Sequence, residues 1–193
     1  DVEINGIPRN RERSEMIICC MKGKLWHTWS IFLPKDFPNI FPVKTAMGQF
    51  HNDGDNPVEF QFNNFFNKYS PKKSGGYWVL PAETISSHVA TKILDQKNML
   101  GQWNDILVNS KFTHKKDGFL KVWVNGKLSY EFKGRTHLEG DIIEQEIGIY
   151  RSFTHRRPGP DPTQVAYFDE IRFAKSCKKL KIKELGYSCK EIE

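Results

Sequence analysis

Asp117-Gly118-Phe119-Leu120-Lys121-Val122-Trp123-Val124-Asn125-Gly126-Lys127-Leu128-Ser129-Tyr130-Glu131-Phe132 is the stretch whose reading decides the fold. Residues 119–124 and 127–132 read as strands. Asn125-Gly126 joins them as a two-residue hairpin turn, because both central positions want positive φ. Asp117-Gly118 carries the same turn chemistry in front of the first strand. Outward from this hairpin, short alternating runs recur between turn residues at 16–21, 25–33, 43–51, 58–66, 103–108, 143–150 and 165–173. Many short strands punctuated in this way predict a sandwich or barrel. Residues 67–76 and 156–162 read as loops, and 81–101 leaves room for one short helix. No internal repeat or linker is visible, so the 193 residues are expected to form a single domain spanning 1–193.

Aromatic residues make up 13% of the chain, with 14 Phe against 5 Trp and 6 Tyr, which suits packed sheets. The formal net charge of +6 favours an anionic partner without choosing among nucleic acid, membrane and acidic polysaccharide. No apolar stretch is long enough to span a membrane, and no signal peptide is visible. The four cysteines contain no CxxC pair, so a zinc ribbon is not expected. Cys19 and Cys20 would point to opposite faces of a strand and read as buried small hydrophobes. Cys177 and Cys189 flank a basic segment and could form a disulfide in an exported protein. The run 178–183 reads as a solvated basic edge. No phosphate loop or nucleophile elbow occurs. The segment from His51 to Asn56 offers oxygen ligands that could hold Ca²⁺, but it lacks the full loop spacing and reads as a turn. No metal and no cofactor is expected.

Strand parity links four polar positions. Gln49 and His51 share a face of 43–51, together with Val43, Thr45 and Met47. Arg9, Arg11, Arg13 and Glu15 share a face near the N-terminus. Glu144, Glu146, Gly148 and Tyr150 share a face opposite Ile143, Ile147 and Ile149. Each feature has an ordinary structural explanation: a hydrogen-bonded strand histidine, a tyrosine covering the core, and a surface ion-pair ladder.

The ordered set is more specific. Arg11-Glu12-Arg13-Ser14-Glu15, then Gly48-Gln49-Phe50-His51, then Ile147-Gly148-Ile149-Tyr150 resembles the polysaccharide lyases with a concanavalin-like jelly roll, among them alginate, glucuronan and heparin lyases. Trp26 to Pro34, Gly101 to Ile106, Asp117 to Lys127 and Ala166 to Ile171 look like further segments of the glucuronan and heparin branch. The resemblance spans about residues 9 to 174. It implies an all-β, two-sheet antiparallel jelly-roll sandwich with a concave substrate groove. It also implies β-elimination on a uronic-acid-containing polysaccharide.

In that chemistry the carboxylate beside C5 must be neutralised so that the C5 proton can leave. The resemblance assigns this role to Gln49 and Arg13. It assigns proton transfer to His51 and Tyr150, with Tyr150 as acid or as both base and acid. A free tyrosine titrates near ~10, so a nearby cation would be needed for it to act as a base. Arg11, Glu146, Arg151 and Asn63 are expected to contact substrate. Glu146 departs from the family's Lys at its position. A carboxylate there would repel a uronate, so either Arg13 pairs with it, or the substrate differs, or activity is weakened. Arg151 has the opposite parity to Tyr150 and is not taken as a replacement for that Lys. The alternatives are a non-catalytic carbohydrate-binding module and a glycoside hydrolase, for whose carboxylate pair Glu144 and Glu146 could be mistaken, although the Gln49-Phe50-His51 strand fits a lyase better. The expected partner is an acidic polysaccharide, with no nucleic acid, no membrane insertion and a monomeric state. A polymeric substrate places the protein outside the cell: secreted, periplasmic or surface-attached.

Overall fold

A computed structural model of the protein describes residues 2–4, 7–9, 11–52, 57–62, 75–81 and 90–192. The strands are β1 (Val2–Ile4), β2 (Ile7–Arg9), β3 (Arg11–Met21), β4 (Gly23–Phe32), β5 (Lys44–His51), β6 (Val58–Phe62) and β7 (Tyr77–Pro81). They continue with β8 (Thr91–Leu94), β9 (Trp103–Phe112), β10 (Phe119–Val124), β11 (Lys127–Lys133), β12 (Ile143–Ser152) and β13 (Tyr167–Ala174). A six-stranded sheet in the order β3-β12-β5-β6-β7-β8 packs on a five-stranded sheet in the order β11-β10-β9-β4-β13, and β1 and β2 form a separate hairpin. Every strand pairing is antiparallel. The architecture is the antiparallel jelly-roll sandwich that the family resemblance implied, within the sandwich-or-barrel class expected from the turn spacing.

Alternation explains the two layers. On β4, Leu25, Trp29 and Ile31 enter the core, as do Leu120, Val122 and Val124 on β10. The facing sheet contributes Met47, Phe50, Phe60, Val79 and Ile147. Trp29 meets Phe60 edge-on at 4.9 Å between ring centroids, and Phe50 meets Phe112 at 4.9 Å. His27 is fully buried in this interior, its Nδ1 2.9 Å from the Oε1 of Gln145. Burial drops its pKa to about 4, so it is held neutral. A second apolar cluster lies on the outer side of the five-stranded sheet, where Cys177, Leu180, Ile182 and Ile192 cover Trp26 and Trp123.

The Asn125-Gly126 turn forms as expected, with φ of 49° and 78°. Asp117-Gly118 does not. β9 ends at Phe112 and β10 starts at Phe119, so the pair closes a six-residue loop instead of a two-residue turn. Gly118 is needed there for space, because a Cβ would lie 2.5 Å from the carbonyl oxygen of Gly134. Among the described residues of the region 81–101 there is one short helix, α1 (Gln96–Met99).

Cys19 and Cys20 are not buried hydrophobes. They are exposed and bonded to each other, with Cys20 at φ 69°. They sit near the end of β3, an edge strand that also exposes Met16 and Ile17, so apolar composition did not mean burial here. Cys177 and Cys189 form a disulfide. The run 178–183 is only partly a solvated edge: α2 (Cys177–Leu180) and a 3₁₀ turn (Ile182–Leu185) bury Leu180 and Ile182 against the sheet.

Candidate active site

Three adjacent strands, β3, β12 and β5, carry the polar face of the six-stranded sheet. Tyr150 lies in the middle strand, opposite Arg13 on β3 and Ala46 on β5. Its side chain is 7% exposed. The guanidinium of Arg13 sits 4.7 Å from the ring centroid and the ammonium of Lys44 5.8 Å from it. Two cations therefore flank one phenol. Gly148 allows this geometry: a Cβ there would lie 2.1 Å from the carbonyl oxygen of Ser14, so β3 approaches β12 closely only at a glycine.

Further along the same face lies a knot of amide and carboxyl groups. Gln49 Nε2 donates to Glu15 Oε1 at 3.1 Å and, by a short bond, to Glu146 Oε2. Burial, and then the charge of Glu146, push the Glu15 carboxyl up to about 7, while nearby Arg13 pulls it down. Glu15 thus titrates near neutral pH, where its protonated and ionised forms coexist. His51 lies opposite Glu144, and donor atoms of His51, Glu144 and Glu146 fall within 4.8 Å of one another. These three are the group among the described residues whose atoms could reach a single cation. His51 is five positions along β5 from Ala46, roughly 16 Å at about 3.3 Å per residue.

All four residues expected to act on substrate are thus on this face, but in two groups that the strand keeps apart, Tyr150 with Arg13 and His51 with Gln49, so the imidazole is not beside the phenol. Glu146 joins the second group and bonds Gln49, where pairing with Arg13 was one expectation. Arg11 starts β3 and is exposed. Arg151 is turned elsewhere, paired with Glu12 and donating to the carbonyl of Pro162 at 3.0 Å. Asn63 lies outside the described residues, as do residues 53–56 of the segment considered for Ca²⁺. Lys44 and Glu15 were not expected as site residues. Strict alternation puts Lys44 on the opposite face from Gln49. The register shift between Ala46 and Gln49 reverses that parity and sends Met47 into the core. Gly48, with φ 142°, is the signal in the sequence that marks the shift.

A family model described as polysaccharide lyase matches residues 3–172. The chain belongs to the polysaccharide lyase family. No curated protein matches this lyase in sequence. Among solved structures it resembles an endo-β-1,4-glucuronan lyase from the fungus Trichoderma reesei, with TM-score 0.62 and 15% identity over 86% of this chain and 76% of that one. A β-glucanase catalytic domain from Podospora anserina gives TM-score 0.61 and 12% identity over 86% and 66% of the two chains. An alginate lyase from a Chlorella virus gives 0.50 and 20% over 81% and 72%. At these identities the likeness is one of fold. That fold serves a glucanase as well as lyases, so the substrate has to be argued from the site.

Proposed function

We propose that this lyase cleaves a uronic-acid-containing polysaccharide by β-elimination on the polar face formed by β3, β12 and β5. The observation that carries the reading is the placement of Arg13 and Lys44 against the ring of Tyr150. A uronate carboxylate needs positive charge beside it before the C5 proton can be removed, and the proton acceptor needs to stand next to that charge. Lys44 brings a cation from the neighbouring strand to a site where Glu146 replaces the family's lysine. Gln49 holds Glu15 and Glu146, so neutralising the substrate carboxylate falls mainly to Arg13 and Lys44. Protonated Glu15 can donate a further hydrogen bond.

In the reaction Tyr150, the group that stands beside these cations, takes the C5 proton. The electron pair forms the C4–C5 double bond, the C4–O bond to the leaving sugar breaks, and the departing oxygen is protonated. The products are an unsaturated uronate and a new reducing end. Arg11 lies at the rim as a candidate substrate contact. Among the described residues no helix is long and apolar enough to cross a membrane. A substrate too large to enter a cell calls for a protein that works outside it.

The test is incubation with glucuronan, alginate and heparin, following the ultraviolet absorbance of the new double bond and the appearance of reducing ends. The expected outcome is both signals on at least one uronan. Reducing ends without absorbance would make the protein a hydrolase, and tight binding without either would make it a binding module.

A further inference from the structure

On the other side of the sandwich the five-stranded sheet carries a second cleft, of about 550 Å³ and lined by lysines and aromatic rings, within the range of sites that hold small ligands. Register sets the residues in and around it. Lys24, Lys111, Phe119 and Lys133 lie opposite one another in a row across β4, β9, β10 and β11. The next row is Trp26, Asn109, Lys121 and Glu131. Lys116 overhangs from the loop before β10, and Ile192 of the disulfide-tied C-terminal segment forms part of one wall. That segment lies beyond the region matched by the family model.

The charges do not cancel. Asp117 is bound to Lys111 at 2.5 Å, and Glu131 is shared between Lys121 at 3.6 Å and Lys133 at 3.5 Å. Lys24 stands over the ring of Phe119 at 5.9 Å. Neither Lys24 nor Lys116 has a carboxylate partner among the described residues. Like charges directly opposite on a sheet are unfavourable unless a counter-charge is supplied. Lysines among the aromatic rings of Trp26, Phe119 and Trp123, with buried Asn109 at the base, suit a ligand that is anionic and also presents flat C–H surfaces and hydroxyls.

We propose that this cleft is a second binding site for a short segment of acidic polysaccharide, on the opposite sheet from Tyr150. The choice of a uronate segment as occupant rests on the substrate class proposed above. A site here would tether the polymer and raise its effective concentration at the elimination face.

The experiment uses the full chain carrying Tyr150→Phe, so that the probe is not consumed. Amide NMR shifts are followed during titration with a glucuronan hexasaccharide, with cellohexaose and a DNA duplex as controls. The expected result is shifts at Asn109, Phe119 and Lys121 with the uronate alone. In a Lys24→Glu/Lys116→Glu variant of unchanged melting temperature, apparent affinity at these amides should fall by about tenfold or more, about 1.4 kcal/mol. The same pair of substitutions in the otherwise native chain should leave turnover of short oligosaccharides unchanged. Shifts confined to the Tyr150 face, affinity unaltered by charge reversal, or equal binding of cellohexaose or DNA at the cleft would each overturn the proposal. Shifts at the cleft with no unsaturated product from the native chain would refute the elimination reading and leave the second site standing. Product without shifts at the cleft would do the reverse.

Discussion

Glu15 shows at the residue scale how the site sets its own chemistry. Its carboxyl is raised from an ordinary 4.5 to about 7 because it is buried next to Glu146. Between these values the folded protein holds a proton that the unfolded chain releases. The contribution of Glu15 to stability is therefore fully present below about pH 4.5 and lost as pH rises through 7. Glu15→Gln should remove this loss, worth on the order of 1–2 kcal/mol after allowing for partial exposure. Buried His27 acts in the opposite sense, losing stability as pH falls from 6.5 through about 4. The useful quantity is therefore the difference in melting temperature between variant and parent at pH 5 and pH 8. The variant should gain relative to the parent on going to pH 8. An unchanged difference would mean that Glu15 is ionised at both values.

At the element scale the decisive feature is the irregular pairing of β5 with its neighbours and the tight approach of β3 to β12. Gly148→Ala would drive a methyl into the Ser14 carbonyl and push the edge strand away. The expected cost is about 2–4 kcal/mol in urea unfolding, with loss of activity as Arg13 leaves Tyr150. A variant as stable as the parent would show that the approach is looser than described. The same elements explain what could be read from the chain beforehand. Gln49, His51, Glu146 and Tyr150 were legible because each lies on one side of the irregularity, where period-2 parity holds. Lys44 was not, because parity counted through Gly48 gives the wrong face. Cys19 and Cys20 misled for a related reason: an apolar run on an edge strand has only one covered side, and composition does not reveal which strands are edges.

At the scale of the whole molecule, turn chemistry and alternation were enough to predict a sandwich or barrel, and the family resemblance chose the sandwich. The pairing order of the sheets depends on contacts distant in sequence and had to come from the structure. The C-terminal segment belongs to that category. Its disulfide spans 12 positions and ties down the cover over Trp26 and Trp123. A Cys177→Ala/Cys189→Ala variant should lose about 2–3 kcal/mol, with red-shifted tryptophan emission as the cover opens. Unchanged emission would mean that packing alone holds the segment. On the proposed reading the two faces of the sandwich divide the work, one for elimination and the other for holding the polymer. The most direct test of the account is the rate of double-bond absorbance on a susceptible uronan for the parent and for Tyr150→Phe, with binding measured in parallel. Tyr150→Phe should lower the rate by about 100-fold or more with affinity retained, whereas a variant that turns over at the parent rate would remove Tyr150 from the reaction.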